Sequence, residues 1–312
     1  YNNDWEDITA NENYIFIADT GNNFGNRSNL NILKVKTNDF SIDGKIYITY
    51  KDQEKFIKSV KLKSITGTIS SKKELGAISN TGRKQAFLFN ENGSLKGFYK
   101  TRKNRDTSFI FYEYDESSNL TVKRYSDSYG FYSYTYSYNE KDEMIKKVYA
   151  REKNANKAKI NFKLGEQYVV FEEGYSTTKN DTSETRLILN SNGRPYQEQS
   201  LIYNNLGYLE KVESKLLINN EITKEVFEYN DRGFIKSKQF FDGHDTIPRM
   251  KFLYNYDEWG NVTFIDEYKQ NTRVKHKEIL YDQSNLIIKT ILSQDLTSNL
   301  ITIIKFKPEF YD

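Results

Sequence analysis

The stretch F-E-Y-N-D-R-G-F-I-K, residues 227–236, shows the pattern that decides the fold of this chain. Its first aromatic residues alternate with a polar one, which places their rings on one face of a β-strand. Asn230 can bond its own backbone and start a turn, and Gly233 can adopt the positive φ that such a turn needs. Ile235 then returns to the buried face. The stretch is therefore predicted to be a β-hairpin.

The same pattern recurs along most of the chain. Its copies begin at Phe89, Tyr114, Tyr138, Leu189, Tyr203, Tyr229, Tyr256 and Tyr281, with intervals of 25, 24, 51, 14, 26, 27 and 25 residues. A degenerate copy is predicted near Leu164 to divide the interval of 51, and an irregular turn at Leu189 or Tyr203 to explain the interval of 14. The copies at Ser118, Asp142 and Asn285 lack the glycine.

The period of about 25 residues accommodates two strands of about nine residues and two turns. The composition agrees, because 25 tyrosines and 20 phenylalanines in a polar chain suit pleated, half-buried surfaces. We therefore predict an all-β fold of meandering antiparallel hairpin repeats that form an extended or curled sheet.

Several classes of function are disfavoured by composition. The chain of 312 residues has no cysteine, two histidines and a net charge of +3 from 46 basic and 43 acidic residues. Disulfide frameworks and cysteine nucleophiles are excluded, and the mixed charge does not indicate nucleic acid. The sequence contains no run of about 18 apolar residues, so no transmembrane segment is predicted.

Candidate catalytic groups are few. His244 lies in a predicted turn and His276 lies among lysines, and neither has a nucleophile and an oriented base beside it in the sequence. Glu172 and Glu173 could serve as a glycosidase pair, but such pairs are expected by chance among 43 acidic residues. We expect no enzyme activity, no cofactor and no metal site.

The recurring phrase Y-[ND]-x-x-G-x-[LIV], between about Phe87 and Ile304, resembles the YD-repeat, or Rhs-type, family of β-rich bacterial proteins. This resemblance implies an extended meandering sheet that curls into a partial barrel or solenoid. It also implies, by analogy of fold alone, a surface-exposed toxin or adhesin fragment as one alternative.

The amino-terminal segment has a different pattern and resembles one blade of a β-propeller family common in secreted and envelope proteins of Bacteroidota. The matching residues are Asp4, Trp5, Glu6, Asp7, Asp19, Gly21, Asn22, Asn23, Gly25, Asn26 and Arg27, followed by the stretch 46–56. We predict a blade-like segment at 1–56, a connecting β segment at 57–85 and a hairpin-repeat domain at 86–312. Because Tyr1 is not a natural start residue, we also expect a mature or truncated product.

The densest aromatic stretch offers a candidate binding surface. Tyr132, Tyr134, Tyr136 and Tyr138 alternate with small polar residues, so all four rings are predicted on one face of a strand. They could form a cross-strand aromatic ladder that holds the sheet together. The alternative is an exposed platform for a partner protein or a glycan.

These observations predict a non-catalytic protein-interaction module whose partner is another protein. The resemblance to envelope proteins implies a location in the periplasm or at the outer membrane, with secretion as an alternative. A narrower hypothesis is an accessory or plug subunit of an outer-membrane machine such as the type IX secretion translocon. A secreted glycan-binding protein or hydrolase is the alternative from another functional class.

Overall fold

A computed structural model describes residues 51–102, 106–127, 130–158 and 161–312, together with the backbone of four earlier strands. These four strands form one antiparallel sheet in chain order: β1 (Asp7–Ala10), β2 (Tyr14–Asp19), β3 (Leu30–Lys36) and β4 (Ile42–Ile48). The predicted turn of the blade-like segment, from Gly21 to Arg27, lies outside the described residues.

One helix and 18 strands follow, and the strands close into a single antiparallel barrel. The elements are α1 (Lys51–Ser59), β5 (Leu62–Lys73), β6 (Ser79–Phe89), β7 (Leu95–Thr101), β8 (Thr107–Tyr114), β9 (Leu120–Ser126), β10 (Gly130–Tyr138), β11 (Met144–Asn154), β12 (Leu164–Lys179), β13 (Ser183–Leu189), β14 (Pro195–Tyr203), β15 (Leu209–Leu216), β16 (Ile222–Tyr229), β17 (Ile235–Asp242), β18 (Met250–Tyr256), β19 (Val262–Lys269), β20 (Thr272–Tyr281), β21 (Ile288–Asp295) and β22 (Leu300–Phe310). Each strand pairs with the next, and β22 pairs with β5.

The all-β prediction is confirmed, but the prediction of an open or curled sheet is wrong. Residues 300–310 of β22 pair with residues 62–73 of β5, so the two ends of the meander join each other. Closure pairs the outer edges of β5 and β22, which an open meander would leave unpaired. The first of these strands, β5, begins at Leu62, and the domain boundaries at 56 and 85 stay predictions.

The resemblances to YD-repeat proteins and to a propeller are also wrong as guides to this fold. The hairpins form one closed 18-strand barrel instead of an extended repeat sheet. A propeller needs at least about four radially arranged sheets, whereas the described residues contain a single four-stranded sheet. The local phrase predicts hairpins correctly because it encodes turns. It carries no information on how distant strands pair, so it does not predict closure.

The hairpin turns follow the predicted chemistry. In the turn after β16, Gly233 has φ +79° and its N–H donates to the carbonyl of Asn230 at 2.9 Å. Where the glycine is missing, Ser118 and Asp142 adopt positive φ themselves, at 67° and 58°. In the last copy, the residue with positive φ is Leu286, at 57°, and not its neighbour Asn285.

Alternating strand direction places these turns at two ends of the barrel. We call the end that holds the turns after even-numbered strands the repeat end and the opposite one the far end. The repeat-end turns begin at Asn90, Asp115, Asn139, Asn180, Asn204, Asn230, Asp257 and Asp282.

This arrangement corrects two sequence expectations. Leu164 starts the 16-residue strand β12 and is not a degenerate turn, because the repeat-end turn of that unit begins at Asn180. The turn at Asn190–Gly193 is real, but it joins β13 to β14 at the far end. Its different location explains the interval of 14.

The packed core lies along β5, β6 and β22 and beneath helix α1. Its buried residues are Leu62, Ile65, Ile69, Ile287, Ile304 and Phe306, and Phe56 and Ile57 of α1 and the following Val60 pack against them. Gly67 is required here, since a Cβ at this position would lie 2.6 Å from Ile304 Cγ2 and 2.7 Å from the Phe306 ring. Glycine thus allows the aromatic ring to cover the strand.

The strand register gives every residue one of two faces. Ile69, Ile304 and Lys277 share a face with Lys100 when the pairs are followed around the barrel. Burial, the charge of Lys275 and the charge of Lys100 lower the pKa of Lys277. Since β20 and β7 are five strands, or about 24 Å of sheet, apart, their lysines can interact only across the barrel. This face therefore lines the interior.

No helix in the described part of the chain has the length and apolar character needed to cross a bilayer.

Candidate functional site

The predicted tyrosine surface lies on the inner face of β10. Tyr132 stacks on Tyr125 with ring centres 4.8 Å apart and an interplanar angle of 5°. Tyr134 contacts Tyr149 at 5.3 Å, and Tyr149 contacts Phe171 at 5.1 Å. We call Tyr125, Tyr132, Tyr134, Tyr136, Tyr149 and Phe171 the tyrosine wall. The rings make the contacts expected of an aromatic ladder, and their use as a binding platform stays a prediction.

Basic side chains accompany the tyrosine wall. Lys147 Nζ lies 5.1 Å from the ring centre of Tyr134, and the Arg151 guanidinium lies 5.9 Å from that of Tyr132. Burial is the main cause that raises the pKa of Tyr132 and Tyr136. These phenols therefore remain neutral at physiological pH. The cations form ion pairs, Lys147 with Glu173 at 3.0 Å and Arg151 with Asp127 at 2.5 Å, and the ring faces add cation–π attraction.

Tyr138 belongs to a different structural feature, because its hydroxyl donates to the carbonyl of Leu120 at 2.9 Å. Before four other repeat-end turns, the hydroxyl of the preceding tyrosine also donates to a backbone carbonyl of the preceding hairpin. The further pairs are Tyr114 to Leu95, Tyr229 to Leu209, Tyr256 to Ile235 and Tyr281 to Val262, at 2.7–3.1 Å. The sequence identified these rings as packing groups, and the structure adds hydroxyl tethers between neighbouring hairpins.

The adjacent acids Glu172 and Glu173 do not form a catalytic pair. Glu172 forms an ion pair with Lys146 at 2.8 Å, whereas Glu173 lies on the inner face. Burial alone would raise the pKa of Glu173, but hydrogen bonds from Tyr196, Tyr175 and Lys147 hold it below its ordinary value. A carboxylate that is ionised and saturated with donors is suited to a structural role.

The two histidines are also apart. His244 lies in the connection between β17 and β18, and His276 lies on β20 with Nδ1 2.6 Å from Asp266 Oδ1. The hydrogen-bond partners described for His276 are Asp266, Arg273 and Glu278. None of these is a nucleophile, so this cluster does not supply the groups of a hydrolytic triad. Among the described residues, no group of three His, Asp or Glu side chains is placed to hold a metal ion.

A buried ion cluster near the far end was not apparent in the sequence. Arg124 donates to both carboxylate oxygens of Glu152, at 2.6 and 3.2 Å, and to Glu113 at 2.5 Å. The side chains of Arg124 and Glu152 are only 6% and 5% exposed. Phe162, from the connection after β11, lies 5.7 Å from the guanidinium. The partners are 28 residues apart, so no local spacing signals their contact.

The most exposed apolar segment is the first part of β12. Residues 164–174 pair with β11, but pairing with β13 begins only at Gly174. Within the described ranges of the chain, no strand pairs with the second edge of residues 164–173, which we call the β12 edge. Tyr168, Val169, Val170 and Phe171 are exposed there.

A crevice opens at the repeat end between the turns that follow β18 and β20. It has a volume of about 500 Å³ and includes Trp259, Leu280, Tyr281 and Gln283 in its lining. We call it the Trp259 crevice. Trp259 is 43% exposed, which is unusual for a large aromatic side chain on a folded surface.

Comparisons with known proteins place this geometry in context. No protein-family model matches the chain, and no curated protein sequence matches it. A porin-like protein from Bacteroides uniformis has 11% identity over 80% of this chain and 97% of its own, with a TM-score of 0.34. A porin-like protein from Bacteroides vulgatus has 8% identity over 80% and 98%, with a TM-score of 0.31.

A LolA superfamily protein from Nitrosomonas europaea has 7% identity over 82% of this chain and 91% of its own, with a TM-score of 0.19. All three scores are too low to support an argument about fold or function.

Proposed function

We propose that this protein is a non-catalytic interaction module of the bacterial cell envelope that binds an extended segment of another protein at the β12 edge. The observation that carries the proposal is a strand edge that no other strand of the described residues pairs with, combined with exposed apolar side chains on that strand.

The backbone of the β12 edge provides the binding energy. An unpaired strand presents a row of N–H and C=O groups, which another extended chain can satisfy by adding as a strand. Tyr168 and Val169 are 64% and 54% exposed, so contact with a partner would remove substantial apolar surface from water. Both terms favour an extended polypeptide over a small polar ligand.

The shape of the β12 edge favours one specific partner over indefinite stacking. The register against β11 shifts at Val170 and again between Leu164 and Gln167. Such bulges twist a strand and oppose flat edge-to-edge aggregation. The side chain of Glu166 is 89% exposed, and its only ion pair among the described residues is a loose one with the exposed Lys153, at 3.8 Å. A partner segment with a basic residue beside apolar ones therefore fits this edge.

The envelope location is part of the proposal, and cell fractionation tests it. A narrower form of the proposal is an accessory or plug subunit of the type IX secretion translocon. No feature of the barrel is specific to that machine, and the identity of the captured partner decides between this role and another envelope complex.

The experiment is affinity capture from envelope extracts with three forms of the full chain. Val169→Lys places a charge in the β12 edge, whereas Leu75→Lys places the same charge at a fully exposed position between β5 and β6. We expect the wild-type chain and Leu75→Lys to capture the same protein, and Val169→Lys to capture at least about tenfold less.

A photo-crosslinking residue at Tyr168 should join the same partner. Capture that is unaffected by Val169→Lys, or crosslinks that are absent at residue 168, would refute the β12 edge as the site. A homodimer joined through this edge would replace the proposed partner with a second copy of the chain.

A further inference from the structure

In two successive repeat-end turns, the residue four positions after the start of the turn packs against the next turn. Tyr208 extends onto the next turn, where a Cβ on Gly233 would lie 2.0 Å from its hydroxyl. Phe234 does the same one hairpin later, where a Cβ on Gly260 would lie 2.7 Å from its ring. These two aromatic side chains act as spacers that fill the groove between turns.

The third position in this series is Asn261, which does not extend to the following turn. Its side-chain amide donates to Asp257 within its own turn, at 3.0 Å. The next turn begins at Asp282, and the space between the two turns is the Trp259 crevice. A break in the spacer series therefore creates the crevice.

An asparagine at this position does not by itself leave the groove between two turns open. Asn119 occupies the same position in the turn after β8, but its amide also donates to Asp142 of the next turn at 2.8 Å. That groove is bridged by a hydrogen bond. Within the described part of the chain, the amide of Asn261 makes no such bridge and bonds only within its own turn. A second opening, of about 530 Å³, lies between the turns that begin at Asn180 and Asn204.

The chemistry of the lining selects a ligand class. Trp259 and Leu280 offer exposed apolar surface, and Glu258, Gln283 and Ser284 offer polar groups beside it. The residues that line the crevice include carboxylates and no lysine, arginine or histidine. An aromatic face next to hydrogen-bond acceptors suits a sugar ring, whose C–H face is apolar and whose hydroxyls are donors. The carboxylates disfavour an anionic ligand.

We propose that the Trp259 crevice binds a neutral saccharide, with a sugar ring against the indole and hydroxyl groups bonded to the surrounding polar side chains. This site lies on the repeat end and is separate from the β12 edge. The volume of about 500 Å³ accommodates one or two sugar units.

Tryptophan fluorescence tests the proposal directly, because the chain contains two tryptophans and Trp5→Phe leaves Trp259 as the sole reporter. The probes are maltohexaose, cellohexaose and chitohexaose, with oligogalacturonate as an anionic comparison. We expect at least one neutral oligosaccharide to change the emission saturably and oligogalacturonate to leave it unchanged. No saturable change with any neutral probe up to about 10 mM would refute the proposal.

Asn261→Phe is the decisive variant, because it supplies the missing spacer and fills the crevice while Trp259 remains in place. We expect saccharide affinity to fall at least about tenfold, since stacking on the indole is blocked. Asn192→Phe makes the same substitution in the far-end turn after β13 and should leave affinity unchanged. Equal affinity for wild type and Asn261→Phe would overturn the assignment to this crevice.

The Val169→Lys variant separates this proposal from the proposed function. Saccharide binding should be unchanged in that variant, because the β12 edge lies outside the crevice. A cationic probe, choline, should not compete with the saccharide. Competition by choline would replace the saccharide with a cationic ligand and refute the proposal.

Discussion

The two ends of the barrel are built from connections of different kinds. At the repeat end, successive turns share one phrase, tyrosine hydroxyls tether neighbouring hairpins, and Tyr208 and Phe234 fill the grooves between turns. At the far end, the connections range from the two residues after β19 to the nine residues after β11. The repeat therefore encodes a regular set of turns at one end of the barrel, while the connections at the opposite end vary in length.

Departures from the repeat coincide with the surfaces that we propose to be functional. Because β13 is short and turns back at Asn190–Gly193, it does not reach the first part of β12, and no other strand in the described part of the chain pairs with that edge. Because Asn261 stands where the two preceding repeat-end turns carry an aromatic spacer, the Trp259 crevice opens between its turn and the next. Irregular positions therefore deserve more functional weight than the regular tyrosines.

The largest expected effect is a loss of stability at the buried ion cluster near the far end. Arg124→Met leaves Glu152 buried and without its guanidinium partner, which should cost about 3–5 kcal/mol of the free energy of unfolding. Urea denaturation measures this loss. Adding Glu152→Met should restore most of the stability, because the uncompensated buried charge is then removed. A loss below about 1 kcal/mol in the single variant would show that water or another group replaces the arginine.

The next largest effect is a difference in stability between substitutions of equivalent glycines at the two ends. Gly233→Ala and Gly193→Ala both place a Cβ on a residue with positive φ, at 79° and 72°. The alanine at 233 also collides with Tyr208, whereas the space around Gly193 is open. We expect Gly233→Ala to be less stable than Gly193→Ala by about 1–3 kcal/mol in the same denaturation assay. Equal losses would mean that Tyr208 moves aside without cost.

A smaller effect isolates one tether. Tyr256→Phe removes the hydroxyl that donates to the carbonyl of Ile235 at 2.7 Å, and the expected loss is about 1 kcal/mol. Tyr168→Phe makes the same change at an exposed far-end position and should alter stability by less than about 0.5 kcal/mol. Thermal unfolding of both variants checks the difference, and a greater loss at residue 168 would contradict the assignment of tethers to the repeat end.

The smallest effect appears at alkaline pH. Burial, with a further contribution from Glu54, raises the pKa of Tyr114 from 10.0 to about 12. Between these values the folded chain keeps a proton that the unfolded chain loses, so this group's contribution to stability is complete below pH 10 and declines as the pH rises towards 12. Tyr114→Phe should make the decline in urea midpoint over this range less steep. An unchanged slope would indicate that Tyr114 does not titrate late.

The sequence predicted the local elements because their information is local. Asn230 and Gly233 specify a hairpin turn wherever the strand goes afterwards, and the rings before the turn specify a face. Closure depends instead on the pairing of β22 with β5, which no short phrase encodes. The same phrase occurs at both ends, so the turn at Asn190 could not be assigned to the far end from its residues alone.

The site was less predictable for a related reason. The tyrosines of β10 were placed on one face correctly, but their position inside a barrel follows only from closure. Trp259 carried no signal in isolation. It becomes notable only beside Tyr208 and Phe234, the aromatic residues that occupy the position of Asn261 in the two preceding repeat-end turns.

The seam between β22 and β5 has a consequence for how the chain folds. Ser64 and Glu309, bonded at 3.1 Å across this seam, are 245 residues apart in the sequence. During synthesis, hairpins can form one after another from nearby residues, but β5 keeps an open edge until β22 emerges. Contacts of such long sequence separation form slowly, and exposed strand edges promote aggregation. A cell that makes this protein must therefore protect a nearly complete sheet until its last strand joins the first.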